Sequence, residues 1–284
     1  MKKRIIIIIA IIFLFLIGLS VMLYPLISDY VNSKSQSRAV ARFNSDIAKL
    51  SEENYAAIIE AANAYNKKLL GKADQFRLKK EDYEEYETLF NVNDKGIIGI
   101  LEIGTIEVKL PIYMGTGEEV LQVGIGHMPG SSLPIGGIGT HSILIGHRGV
   151  PSSTLLTNMN QLVIGDMFTL TVLKETLMYE VDHIIIVEPQ NFKYLRVDPE
   201  KDYCTLITCT PYRVNTHRLL VRGHRVAYDG LTETETKTEI RTITEGASRA
   251  SAIVACAVAV VPILFVAAIY NLIKMAFRKF RNSK

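Results

Sequence analysis

Residues 5–24 run for twenty positions without one charged side chain, directly after Met1-Lys2-Lys3-Arg4. A stretch of that length and polarity matches the hydrocarbon thickness of a bilayer, so it commits the start of the chain to a transmembrane anchor. A cleaved leader would have a shorter apolar core and a small-residue cleavage site, and no good site precedes Pro25, so an uncleaved anchor is expected. A second apolar run covers residues 250–273 and is followed by a basic tail with Lys274, Arg278, Lys279, Arg281 and Lys284. Pro262 within it is tolerated in a membrane helix. The alternative, a buried core helix, fits neither its length nor its basic flank. Basic residues on the outer side of both spans place residues 1–4 and 274–284 in the cytoplasm and everything between the spans on the extracellular side of the cell membrane.

The formal net charge of +3 is therefore misleading. Eight basic residues and no acidic ones sit in the two tails, which leaves 24 basic against 29 acidic residues, a net charge of −5, for the rest. A mildly acidic body offers no electrostatic footprint for nucleic acid.

Between the spans the chain changes character twice. Residues 32–95 form a helical N-terminal region. Val40, Phe43, Ile47 and Leu50 recur at helical spacing, Ser51 followed by Glu52 and Glu53 reads as a fresh N-cap, and Gly71 reads as a stop. The apolar stripe that continues through Tyr55, Ile58, Ile59, Ala62, Tyr65 and Leu69 is expected to dock on the body. Residues 96–230 are instead short β-rich runs, at 97–103, 106–113, 142–145, 167–173, 177–187, 203–208 and 218–226, punctuated by Gly, Pro, Asn and Asp. That pattern predicts a mainly β fold closed, or nearly closed, into a barrel. Residues 231–249 are polar and repetitive and read as a tether to the second span.

Three cysteines occur, and one is placed oddly. Cys256 lies in the second apolar run. Cys204 and Cys209 are an odd number of residues apart on one predicted strand, so they face opposite ways and are not expected to form a disulfide. No Cys/His spacing resembles a zinc site. Cys204 reads as core filler. Cys209 stands at a strand end, with Pro211 just beyond it and a new apolar run starting after Arg218.

A cysteine nucleophile acts as the thiolate and needs a neighbour that generates or stabilises it; histidine is the usual one. His147, in Leu144-Ile145-Gly146-His147-Arg148-Gly149, also stands at a strand end and between glycines. His141, at the other end of the same strand, is its rival; His217 and His224 flank the Arg218 strand, while His127 and His183 have no special context. Arg218 can stabilise negative charge on a carbonyl oxygen, because a guanidinium does not lose its own charge. Arg222 and Arg225 are the alternatives. Thr208 can assist by bonding substrate, or simply pack.

Together, Thr205-Leu206-Ile207-Thr208-Cys209, the arginine nine residues on, and Gly146-His147-Arg148-Gly149 resemble the sortases of Gram-positive bacteria, and more narrowly the class C sortases that polymerise pilins. The likeness runs from about residue 96 to residue 228 and extends to the two-anchor layout. It implies an eight-stranded sortase-type β-barrel with N-terminal helices and two flanking transmembrane helices. It implies a Cys209–His147–Arg218 site that cleaves an LPxTG-type sorting signal between Thr and Gly through a thioester. The acyl group then passes to a lysine of the next pilin, forming an isopeptide bond, with no metal or organic cofactor. The partners implied are pilin subunits with C-terminal sorting signals, together with membrane lipid through both anchors. Attachment of surface proteins to cell-wall peptide is the alternative within the same chemistry; a hydrolytic endopeptidase and a non-catalytic membrane scaffold are the alternatives outside it.

Class C sortases also carry a lid with an Asp-Pro-aromatic motif ahead of the barrel. Residues 72–77 match it through Asp74 and Phe76, which implies that Asp74 pairs with Arg218 and that Phe76 covers Cys209. Gln75 stands where the proline would be, so a less stiff lid is expected. The other reading is an ordinary loop after Gly71 that happens to contain Asp-x-Phe.

Overall fold

A computed structural model of the chain describes residues 2–72, 74–90 and 96–228. The second apolar run, the tether and the basic tail lie outside the described residues.

Eight strands close into one barrel: β1 (Ile97–Ile103), β2 (Val108–Met114), β3 (Ile125–His127), β4 (Thr140–Ile145), β5 (Met167–Val172), β6 (Glu175–Val187), β7 (Asp202–Thr210) and β8 (His217–Val226). Their order around the barrel is β1-β2-β3-β4-β7-β8-β6-β5. Two neighbouring pairs, β2–β3 and β4–β7, are parallel. The alternation of side chains along the strands makes two apolar layers. Leu144, Leu206 and Val221 stand opposite one another across β4, β7 and β8 and belong to the main core, with Cys204. The residues between them, Ile143, Ile145, Ile207 and Leu220, point the other way and build a second apolar cluster outside the barrel. Seven strands lie where the residue pattern predicts them. The eighth, β3, has three residues, too few to show an alternation.

The helices differ more. Where the sequence suggests a membrane span and a separate helix from residue 32, a single helix α1 runs from Lys2 to Ala48, with Pro25 inside it. Its first part is long and apolar enough to cross a membrane. Ser28 and Asp29 are residue types that cap helices, but Asp29 is used elsewhere: its carboxylate accepts from the Thr154 amide at 2.8 Å and the Thr154 hydroxyl at 3.0 Å. Val40, Phe43 and Ile47 then bury one face of the helix in the main core.

Ser51 starts α2 (Glu52–Leu69) as the pattern predicts, its hydroxyl accepting from the Asn54 amide at 3.2 Å. The expected docking face of α2 is buried at Ala62, Tyr65 and Leu69. Asn66, also on that face, bonds both backbone groups of Leu133, and Tyr65 accepts from the Gly130 amide. A short α3 (Lys80–Thr88), inside the region expected to be helical, inserts the fully buried Tyr86. Its hydroxyl lies 2.9 Å from His127 Nδ1 and accepts from the Gly115 amide. Together the helices fasten the N-terminal region to the loop that leads into β4.

Candidate functional site

The parallel pairing of β4 with β7 brings two strand ends together. Ile145, the last residue of β4, is level with Ile207. The Gly146 amide continues the ladder to the Ile207 carbonyl at 3.0 Å. Thr208, 1% exposed, donates its hydroxyl to the Gly146 carbonyl at 2.8 Å. That bond ties the residue before His147 to the residue before Cys209. The bond gives Thr208 a packing contact one step behind the site.

Cys209 stands directly opposite Arg218 across β7 and β8. Paired residues share a face of the sheet, and this is the outer face that also carries Ile207 and Leu220. The thiol is half-buried and free. Arg218 is aimed by its own strand entry: Nη1 donates to the carbonyls of Asn215 (3.2 Å) and His217 (3.0 Å). Val214 and Asn215 both turn back to the Pro211 carbonyl, which makes the intervening loop compact.

His147 follows β4 and is half-buried. Its Nε2 lies 3.3 Å from Glu118 Oε1, on the short helix α4 (Glu118–Leu121). Hydrogen bonds from Gln122, and then from His147, hold the Glu118 carboxyl below the usual carboxylate range. No hydrogen bond joins His147 to Cys209. The structure thus brings the three candidates to one end of adjacent strands, without closing a Cys–His bond.

Two residues that the sequence reading did not assign support this end. Glu118 holds the ring of His147. Arg148 spans the gap between the strands: Nε donates to the Thr157 carbonyl (3.1 Å), Nη2 to Asn160 Oδ1 (2.8 Å) and Nη1, more loosely, to Thr210 Oγ1 (3.4 Å). Its guanidinium also lies over the Tyr212 ring. The Gly-His-Arg-Gly run signals Arg148 in the sequence; nothing there signals Glu118, because the contact crosses the fold.

The rival histidines are committed to structure. His141 is buried between Thr205 Oγ1 (2.7 Å) and the Arg196 carbonyl (3.0 Å), and burial lowers its pKa to about 4. His127 is buried likewise, also with a pKa of about 4. His183 stacks on Tyr194, His217 bonds Thr216, and His224 lies near Asp182. Arg222 forms a two-pronged pair with Asp182, and Arg225 lies by the Tyr179 ring. Among the described residues no group of three His, Cys, Asp or Glu side chains could hold a metal ion.

The Asp74–Phe76 segment lies on the same outer face. Phe76 packs on the cluster that contains Ile145, Ile207 and Leu220, and stacks on Phe192 at 5.1 Å. Asp74 is exposed and makes no ion pair with Arg218. Gln75, in the proline position, is 2% exposed and donates to the Gly130 carbonyl at 3.2 Å, a bond that proline could not make. Gly130 is required here: its φ is +85°, and a Cβ would come within 2.2 Å of the Gln75 carbonyl oxygen.

A model of the sortase domain matches residues 101–226. Sortase D of Bacillus subtilis (strain 168) is 30% identical over 131 residues, which are 45% of this chain and 63% of that protein, so the match spans less than two thirds of that relative. Among solved structures, sortase C1 of Streptococcus agalactiae is 45% identical with a TM-score of 0.66, over 68% of this chain and 100% of that one. A pilus-related sortase C of Group B Streptococcus is 42% identical with a TM-score of 0.58, over 66% and 97% of the two chains.

Proposed function

The chain belongs to the sortase family of cysteine transpeptidases, and on that premise we propose that it is a membrane-anchored pilin polymerase. Cys209 attacks the Thr carbonyl carbon of an LPxTG-type sorting signal. The tetrahedral oxyanion faces the Arg218 guanidinium, a fixed positive charge at the place where negative charge develops. The Thr–Gly bond breaks, His147 gives its proton to the leaving amine, and a thioester remains on Cys209. The ε-amine of a lysine on another pilin then attacks the thioester, releasing the thiol and leaving an isopeptide bond. The observation that supports this most is the opposition of Cys209 and Arg218 beside the end of the His147 strand.

Asp74 and Phe76 are read as a lid. Phe76 covers the apolar floor that leads to Cys209, and its removal opens that floor to an incoming peptide. The same segment favours pilin polymerisation over wall anchoring, because a lid with an Asp-x-aromatic run ahead of the barrel is part of the resemblance to the class C, pilin-polymerising sortases. The apolar start of α1 supports the first anchor; residues 250–273 are proposed as the second, which would return the chain to the cytoplasm.

Incubating the enzyme with an LPxTG peptide and a lysine-bearing pilin domain tests the reading. An isopeptide-linked product supports it. Linkage to a wall-peptide amine alone moves the chain to the anchoring alternative, and hydrolysis alone to the endopeptidase.

A further inference from the structure

We propose that the barrel end carrying Cys209, His147 and Arg218 faces the bilayer, with the β7–β8 loop resting among the lipid headgroups. The proposal rests on the reading of α1 as a membrane anchor and goes beyond it, by fixing which surface of the barrel meets lipid and at what height.

The anchor and the barrel share one helix. α1 continues without a break from the apolar run to Ala48, and the loop after His147 is fastened to it just past that run. Asp29 accepts from Thr154, Asn32 Nδ2 donates to the Ser152 carbonyl at 2.7 Å, and Gln36 Nε2 donates to Ser153 Oγ at 3.2 Å. Residues 29, 32 and 36 lie on one face of the helix. Asp29 follows Tyr24 by five residues, a rise of about 8 Å. The headgroup layer on each side of a bilayer is roughly 5–8 Å thick. The loop 152–154 is therefore held at the outer edge of that layer. A bend at Pro25 would tilt the barrel, but it leaves Asp29 within about two turns of the span.

The other face of the helix agrees. Beside Asp29, the residues Leu26, Ile27, Tyr30 and Val31 are all more than half exposed, although apolar or aromatic. Lipid and its interface explain that exposure, and Tyr24 and Tyr30 are the residue type enriched there. Val40, Phe43 and Ile47 dock further along the helix, so the rest of the barrel extends away from the bilayer.

The loop 152–154 is joined to the site. The Leu156 amide bonds the His147 carbonyl, and Gly149 packs against the Tyr212 ring. Tyr212 begins the exposed tip of the β7–β8 loop: it is 46% exposed and Val214 63%, with Arg213 between them. An aromatic, a cation and an aliphatic residue on one tip fit an anionic headgroup layer, with the guanidinium at the phosphates and the apolar side chains just beneath.

The test uses the full chain in nanodiscs that contain anionic lipid and a headgroup nitroxide. Cys209→Ala and Cys256→Ser remove the other accessible thiols, and a fluorophore is attached at Val214→Cys or at Ile138→Cys. Ile138 is exposed next to Gly137, whose amide bonds Asp202 at the start of β7, so it marks the opposite end of the barrel. The expected result is severalfold stronger quenching at position 214 than at 138, reduced when Asp29→Ala and Asn32→Ala remove the fastening. Equal quenching, or stronger quenching at 138, overturns the orientation. Shielding at 214 that grows with protein density but not with nitroxide lipid overturns it too, and assigns the tip to a second copy. Co-flotation with vesicles separates the two levels: a chain that floats but shows no 214 preference defeats this proposal alone, whereas one that does not float defeats the anchor reading as well.

Discussion

Cys209 and Arg218 stand opposite each other across β7 and β8, and the arginine is held by the carbonyls of its own loop and strand, Asn215 and His217. Among the described residues no carboxylate pairs with it to neutralise its charge. Arg218→Ala is expected to lower kcat for acyl transfer by about 10²–10³, the range for losing an oxyanion donor. Arg218→Lys should recover little of it, because a lysine that bonds the two carbonyls with its one nitrogen has no second nitrogen to turn to the oxyanion, whereas Arg218 bonds both through Nη1 and keeps Nη2 and Nε for it. Steady-state kinetics check this; a lysine variant with full activity would reduce the arginine to a structural role.

Thiol chemistry should separate the two cysteines of the barrel. Cys204 is fully buried in the main core, and burial, then the nearby Asp202 charge, push its thiol well above the ordinary range. Cys209 is partly exposed. With Cys256→Ser, a charged thiol reagent should modify Cys209 and leave Cys204 intact in the folded protein. Phe76→Ala and Gly130→Ala should both speed the reaction, the first by removing the cover and the second by unseating the segment under Gln75. Unchanged labelling rates in both variants would mean that the segment does not guard the site.

Arg148 is a positioning residue in this account, since it joins the loop after His147 to Thr210, next to Cys209. Arg148→Lys keeps the charge but loses the fork. A fall in kcat on the order of 10²-fold, with KM little changed, is the expected signature of a misplaced histidine turn. A change in thermal stability with normal kcat would show the bonds to be merely structural.

Acid should destabilise the fold through its buried histidines. His127 and His141 each have a folded pKa of about 4 against an ordinary 6.5, because burial disfavours the charged form. Between these values the unfolded chain binds a proton that the folded chain refuses, so stability falls as pH drops below about 6.5 and levels out near 4. Each residue accounts for about 3 kcal/mol at the limit. Urea unfolding at pH 7.5 and pH 5 should show the loss, and His141→Gln should reduce it. An identical pH dependence in that variant would remove His141 from the explanation.

What could be read from the sequence follows from how local each signal is. Cys209, His147 and Arg218 stand at strand ends bounded by Pro211, Gly146 and Gly149, so local punctuation marks them. Strands with an alternating pattern were equally plain, and Ser51 marked the start of α2. Contacts that cross the fold left no local trace. Glu118 reaches His147 from a four-residue helix, β3 is too short to alternate, and Gln75 bonds the backbone of Gly130, 55 residues away. The joining of anchor and docking helix into α1 was hidden for the same reason: Asp29 looks like a cap until its partner, Thr154, is known.

The measurement that bears most directly on the account is intact mass of the enzyme after mixing with an LPxTG peptide, run beside Phe76→Ala and Cys209→Ala. The expected result is an added mass equal to the peptide cut after Thr, present in the wild type, more abundant in the Phe76 variant, absent from the Cys209 variant, and lost on treatment with hydroxylamine. Folded protein that forms no adduct in either the wild type or the Phe76 variant would contradict acyl transfer through Cys209 from this sorting signal.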